Sequence, residues 1–228
     1  MLSLLKNTIA KKLSHYPEKL AMSSLALSFK SKYGYLKSME TRLPVDPNGN
    51  PLPWFTYPAI EFIDSLDLKD SLVFEWGSGN SSAFFSNRCK EIESIESDPH
   101  WHKYQLKLLN KNQTLNLIPN SGSEYANSIN NANHREYDLI IIDGMQRPAC
   151  AKSALKRLNK NGVLILDNSD WYPDLCKSLR DSSFVQLDFH GHGPINPYTW
   201  TTSLFLRIGN FGQTSNLINR RPVSYTHL

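Results

Sequence analysis

The residues of this chain best placed to do chemistry are four acids, each near the end of a stretch of strand character, and one glycine turn. The turn lies in Val73-Phe74-Glu75-Trp76-Gly77-Ser78-Gly79-Asn80-Ser81-Ser82. An apolar run, two glycines and then a helical start let a ligand approach the backbone at the carboxyl edge of a parallel sheet. A GxGxxG dinucleotide fingerprint would need glycine at position 82, where Ser82 stands. Glu75, two residues before the first glycine, would repel a diphosphate and suits a ligand with a positive end.

S-adenosylmethionine, with an ammonium and a sulfonium, is such a ligand. Glu96 closes the next strand-like segment, in Ser94-Ile95-Glu96-Ser97-Asp98, where a carboxylate can accept both hydroxyls of a ribose. Asp143 closes the apolar run Leu139-Ile140-Ile141-Ile142, and Asp167-Asn168 closes Val163-Leu164-Ile165-Leu166. Tips of neighbouring parallel strands lie close together, so Asp143, Asp167 and Asn168 are expected to converge. The segment Phe189-His190-Gly191-His192-Gly193-Pro194-Ile195-Asn196-Pro197-Tyr198 is rich in His, Gly and Pro and reads as a shaped pocket loop. In it His190 or His192 could act as a base or orient an acceptor. No third His or Cys stands near the H-x-H pair, which argues against zinc. Trp54, Phe55 and Tyr57 follow a breaker-rich segment with four prolines and an Asn-Gly, and are expected to form a lid over the same edge.

The elements that must position these groups alternate. Strands are predicted at 72–74, 91–96, 115–118, 137–142 and 163–166, with helices at 81–87, 99–110, 123–129, 148–158 and 171–179. Asn161-Gly162 reads as the stop signal of the fourth of these helices. A short helix at 58–66 precedes them, and strands at 184–189 and 201–208 follow with no helix between. Strand–helix alternation predicts an α/β fold with a parallel sheet covered on both faces. The last strand is expected to enter antiparallel, because the connection before it is too short for a crossover.

Of 228 residues, 40% are hydrophobic and 20% charged, enough to bury a core. No stretch has the length of uninterrupted apolar residues that a membrane span needs. Cys89, Cys150 and Cys176 are scattered, which argues against a disulfide scaffold and for a cytoplasmic setting. Residues 1–37 hold seven lysines and one acid, a charge of +6 against +4 for the whole chain, so the rest carries −2. The basic N-terminal arm is read as helical, broken near Tyr16-Pro17, and could meet an acidic surface. The slightly acidic body lacks a nucleic-acid footprint, which favours a small-molecule acceptor over nucleic acid. Residues 221–228 show no periodic pattern and read as translated adapter sequence, outside the fold argument. The expected division is an arm and Pro-rich aromatic cap over 1–56, a ligand-binding domain over 57–210 and a tail over 211–228.

Glu75-Trp76-Gly77-Ser78-Gly79, Glu96, Asp143 and this order of elements resemble the class I S-adenosylmethionine-dependent methyltransferases, over roughly residues 57–208. The resemblance implies a doubly wound Rossmann-like sheet of seven strands, order 3-2-1-4-5-7-6, with strand 7 antiparallel. It implies that Glu75 and the 77–79 turn hold the methionine portion, that Glu96 holds the ribose, and that Ser123 and Glu124 lie near the adenine. Trp76, Asn80, Ser81, Ser97 and Asp143 complete the expected cofactor site. The catechol-type subset binds a divalent metal through acids closing strands 4 and 5, and Asp143 and Asp167-Asn168 match that pattern. Magnesium is nevertheless not favoured, since the Glu75 motif and the Pro-rich cap differ from that subset. The expected activity is methyl transfer to a hydroxyl or amine, with Asp143 and His190 catalytic. The acceptor is expected among Trp54, Tyr57, Asp167, Asn168, His192 and Tyr198. An aminopropyl transferase of similar fold and a non-catalytic S-adenosylmethionine binder are the alternatives.

Overall fold

A computed structural model describes residues 16–207. Its seven strands are β1 (Leu72–Trp76), β2 (Glu91–Glu96), β3 (Gln113–Leu117), β4 (Tyr137–Ile142), β5 (Leu158–Leu166), β6 (Phe184–Gly191) and β7 (Trp200–Arg207). They form one sheet in the order β3-β2-β1-β4-β5-β7-β6. The first five pair in parallel, and β7 runs antiparallel to both β5 and β6. The expected architecture is therefore present, with the switch in strand order between β1 and β4.

The helices are α1 (Pro17–Ser31), α2 (Tyr35–Thr41), α3 (Tyr57–Asp64), α4 (Asn80–Ser86), α5 (Pro99–Gln105), α6 (Ser123–Asn127), α7 (Arg147–Ala154) and α8 (Pro173–Asp181). Both faces of the sheet are buried, which is why its central strands are apolar without alternation. Phe74, Ile140, Ile142, Leu164 and Leu166 pack with α6, α7 and α8 on one face. Val73, Leu139, Ile141, Val163 and Ile165 pack with α3 and α4 on the other. Local chemistry starts α5 where expected: Pro99 opens it, and the Asp98 carboxylate accepts the N–H groups of His100 and Trp101 at 2.7 and 2.9 Å.

Several boundaries differ from the sequence reading. Helix α5 stops at Gln105, and the chain turns beyond it to place Asn110 on Ser86 and Asn87. Helix α7 stops at Ala154, and Asn161-Gly162 is not its stop signal but part of β5. Between the pairs Tyr137–Leu158 and Leu139–Val163, β4 advances two residues and β5 five, so the Asn-Gly absorbs an irregularity in the ladder. Helix α1 has no buried residue, and its end meets the body through Phe29, which packs edge-on to Tyr35 and Tyr57. The first 15 residues of the arm, Ile208 and the 211–228 tail lie outside the described residues.

The breaker-rich segment is an ordered loop. The Asp46 carboxylate accepts the N–H groups of Asn48 and Asn50, and Ser38 clasps Val45 through both backbone groups. The loop docks on the sheet edge, because Asn80 donates to the Pro44 carbonyl at 2.7 Å and Phe55 is fully buried. This loop brings Trp54 to the same edge as the acid-tipped strands.

Candidate functional site

The glycine turn after β1 is pressed against the turn after β4. Gly77 has φ +94°, and a Cβ there would stand 2.8 Å from the Gly144 nitrogen, so both the angle and the space require glycine. The Gly77 N–H donates to the Ile95 carbonyl, which ties the turn to β2 as well. Three strand tips are thereby held as one ridge.

Under this ridge lies Glu75, with no exposed surface. One carboxylate oxygen accepts from Ser82 at 2.5 Å and from Ser94 at 2.8 Å, and Ser82 in turn accepts the Gly79 N–H at 3.0 Å. The serine that breaks the dinucleotide fingerprint is thus the link between the buried acid and the turn. The other oxygen, Oε1, is buried without a partner among the described residues. Burial raises the Glu75 carboxyl to about 7, while the hydroxyls of Ser81, Ser82 and Ser94 pull the other way. The acid expected to face a ligand acts on the turn from below.

Glu96 ends β2 beside the turn. Its Oε2 accepts from Ser78 at 2.9 Å, and its Oε1 accepts the N–H groups of Ser97 and Asp98. The Trp76 indole faces the core, bonded to the Tyr125 carbonyl and Ser128, so its side chain is turned away from the ligand edge. The Asn80 side chain is taken by Pro44. Ser81 is buried, while Ser123 and Glu124 open α6 and are exposed. The sequence reading missed Trp101, whose indole donates to the Ser78 carbonyl at 2.8 Å and lies 3.9 Å from where a Gly79 Cβ would be. Its place in the first turn after the Asp98 cap was the available signal.

The tips of β4 and β5 open into a cavity of about 280 Å³ lined by Asp143, Asn168, Arg147 and several aromatics. Asp143, Asp167 and Asn168 do come together, but around Arg147, which sequence reasoning did not single out. The Arg147 guanidinium donates to the Gly144 carbonyl, to the carbonyl and Oδ1 of Asp143, to Asn168 Oδ1 at 3.0 Å and to the Asp167 carbonyl. A cation in the first turn of α7 opposes the helix dipole, and that local misfit was a readable signal. Burial, then the negative charge of Asp167, raises the Asp143 carboxyl well above the usual carboxylate range, with Arg147 opposing. Burial also raises Asp167. Asn168, which lines the cavity, and Gln146 and Ile195, each next in the chain to a lining residue, have φ of +48°, +51° and +70°. Such strained backbone concentrates at binding sites.

The Asp167 carboxylate is not aimed at Asp143. It accepts from Trp200 Nε1 at 3.0 Å and from Thr202 at 2.5 Å, and Thr202 accepts the Thr56 N–H from the cap. The acid therefore fixes the cavity wall and, through Thr202, the segment around Thr56. With Arg147 between Asp143 and Asn168 and Asp167 turned to β7, these residues do not fit a divalent metal, which needs converging oxygens. No group of three metal-type ligands occurs among the described residues.

Trp54 and Tyr198 line the cavity, together with Trp171 and Trp200. His190, His192 and Tyr57 do not line it. His190 pairs with Thr201 across β6 and β7, whereas Trp200 and Thr202 are the residues that reach Asp167. Alternation along a strand puts His190 on the opposite face. The His192 ring packs on Phe29, and Tyr57 is buried against Tyr33. Gly193 explains the shape of the loop: a Cβ there would meet the Phe55 carbonyl and the Trp200 ring at 2.4 Å.

No family model and no curated protein matches the chain. Solved structures do match. An rRNA methylase from Streptococcus thermophilus aligns over 67% of this chain and 98% of its own, at 16% identity and a TM-score of 0.50. A precorrin-6y C5,15-methyltransferase from Geobacter metallireducens GS-15 aligns over 64% of this chain and 86% of its own, at 16% identity and a TM-score of 0.51. At such identities the likeness is one of fold, that of the class I S-adenosylmethionine-dependent methyltransferases. It corrects one expectation: this architecture serves an rRNA methylase, so the acidic body does not set nucleic acid aside in favour of a small-molecule acceptor. Fold and net charge do not choose the acceptor; the site does. Among the described residues no helix is long and apolar enough to cross a membrane.

Proposed function

We propose that this chain, with its class I methyltransferase fold, transfers the methyl group of S-adenosylmethionine to a hydroxyl or amine. The observation that carries the reading is the ridge of Gly77–Gly79, Glu96 and Asp143 on adjacent strand tips, joined by the Ser78–Glu96 hydrogen bond. The residues suit the donor on an independent ground: a cationic ligand at the turn would favour the charged form of Glu75, the carboxyl buried directly beneath it. When bound, S-adenosylmethionine supplies an electrophilic methyl group for in-line displacement.

The chain's own residues then have distinct tasks. Glu96 accepts from the ribose hydroxyls, and Glu75 holds the turn through Ser82. Asp143, beside both the turn and the cavity, takes the proton of the acceptor's hydroxyl or amine, and its raised pKa makes it a better base than an exposed carboxylate. Arg147 holds Asp143 and Asn168 in place. Cys89, Cys150 and Cys176 are buried and free, which suits a reducing, cytoplasmic setting. The test is calorimetric titration with S-adenosylmethionine. Glu96→Gln should weaken binding by about 1.5–3 kcal/mol, the usual worth of hydrogen bonds to a charged group. Unchanged affinity in that variant removes Glu96 from the donor site.

A further inference from the structure

Three large aromatic side chains stand exposed around the one small cavity at Asp143: Trp54 at 42%, Tyr198 at 52% and Trp171 at 61%. Single exposed aromatics are ordinary, but a cluster at a polar floor is not. They come from three separate segments, the cap, the turn after β5 and the β6–β7 connection, and each is anchored. Trp54 precedes the buried Phe55, and the Trp171 N–H donates to the Asn168 carbonyl at 2.9 Å. Tyr198 lies edge-on to the buried Trp200 with ring centres 6.1 Å apart.

The floor has a defined polarity. A guanidinium only donates, so the Asn168 atom facing Arg147 must be its carbonyl oxygen, and its amide nitrogen faces elsewhere. No hydrogen bond within the described residues reaches Asn168 Nδ2 or the second carboxylate oxygen of Asp143. The donors of Arg147 and the Oδ1 atom of Asp167 are already engaged. Side by side on the floor, Asn168 Nδ2 and the second Asp143 oxygen thus form a donor–acceptor pair below aromatic faces, with Asn196 and the Tyr198 ring also in the lining. The cavity's 280 Å³ is below the ~300–1,000 Å³ of pockets for drug-sized ligands, room for one flat ring system.

We propose that the acceptor group is a planar, unsaturated ring that carries its methylated hydroxyl or amine next to a hydrogen-bond acceptor. The ring is stacked among Trp54, Trp171 and Tyr198. Its O–H or N–H faces Asp143, and the neighbouring ring nitrogen or carbonyl faces Asn168. This rests on the methyl-transfer reading and narrows its substrate class. A free heteroaromatic compound and an unpaired nucleobase share this chemistry.

Binding is read on the full chain by quenching of tryptophan fluorescence, with S-adenosylhomocysteine present. The probes are the four ribonucleosides, 3-hydroxypyridine-2-carboxylate and, as the saturated control, cyclohexanol. Single-stranded and duplex RNA 12-mers complete the set. The expected result is binding of at least one planar probe and none of cyclohexanol. Trp171→Ala and Tyr198→Ala should each weaken that binding roughly 5- to 150-fold, the range for loss of one stacking face, and Trp171→Phe should restore most of it. A gain in affinity on single-stranded RNA over the nucleoside assigns a strand-borne base, and no gain assigns a free ring. Absence of binding by every planar probe at millimolar concentration overturns the proposal, as does equal affinity in the alanine variants. Donor binding, measured by calorimetry in the same variants, separates the two readings. Intact donor binding with no ring binding sinks only this inference, whereas loss of donor binding in wild-type protein sinks the reading beneath it.

Discussion

Glu75 offers a test in which the structure sets both sign and size. Its carboxyl is raised from 4.5 to about 7 by complete burial. The folded chain therefore keeps a proton between those values that the unfolded chain releases. By linkage, this contribution to stability is fully present below about pH 4.5, falls as pH rises, and is lost above about pH 7. At about 1.36 kcal/mol per unit, the change across the window is about 3 kcal/mol. Glu75→Gln is always neutral and keeps an oxygen to accept from Ser82 and Ser94. Its new amide N–H costs a roughly pH-independent 1–3 kcal/mol if it finds no partner. The offset between the proteins is thus uninformative, and the slope of their difference carries the test. Urea denaturation at intervals from pH 4.5 to 8.5 should show the variant gaining on wild type by about 3 kcal/mol as pH rises. Parallel profiles, or a gap that widens the other way, would refute the account of a neutral acid buried beneath the turn. A cationic donor should ionise Glu75, so titration near pH 7 in two buffers of different ionisation enthalpy should register release of roughly half a proton in wild type and none in the variant.

Asp143→Asn should lower kcat about 10²- to 10⁴-fold, as expected for loss of a positioned base. In wild type, kcat/KM should rise with pH along an acid limb above the ordinary carboxylate range, because burial and Asp167 raise Asp143; a limb near pH 4 would count against its role. Arg147→Met strands a buried carboxylate and should cost about 3–5 kcal/mol in chemical denaturation, and turnover by wild type should survive EDTA, because Arg147 fills the space a metal would need. Loss of turnover on chelation, restored by magnesium, would contradict that. Deleting residues 1–31 should leave S-adenosylmethionine affinity within a factor of about two, since α1 has no buried residue and meets the body through Phe29, on Tyr57 and His192 and away from the glycine turn; loss of donor binding in a folded truncated chain would show that the arm completes the site.

Arg147 illustrates how a site can share a pattern and differ in chemistry. Acids closing β4 and β5 read as a metal-binding pair, yet a guanidinium already neutralises them. Its planar fork reaches acceptors on both strand tips, which a compact ammonium could not do, so lysine should not replace it. The same group braces the cavity floor whose donor–acceptor pair faces the acceptor ring.

Much of this was legible in the residues because it is local. Apolar runs of four residues closed by Asp143 and Asp167, the Gly77–Gly79 turn and the Asp98-Pro99 helix start each announce themselves within a few positions. The alternation of strand and helix then leaves few topologies, because parallel crossovers have one hand. The parallel sheet and the line of acids along one edge follow from these alone, whereas the strand order came from the resemblance to the class I methyltransferases. What they could not reveal is where those side chains point. Asp167 turns to Trp200 and Thr202, and His190 misses the cavity, because the β6–β7 register pairs Gly191 with Trp200 and so sets the face each residue occupies. Arg147 and Trp101 are unremarked in sequence because their partners lie on other strand tips, and Trp171 because its cavity neighbours Trp54 and Tyr198 are distant in the chain. Side-chain direction depends on register and on contacts between segments distant in the chain, and only the closed sheet decides those.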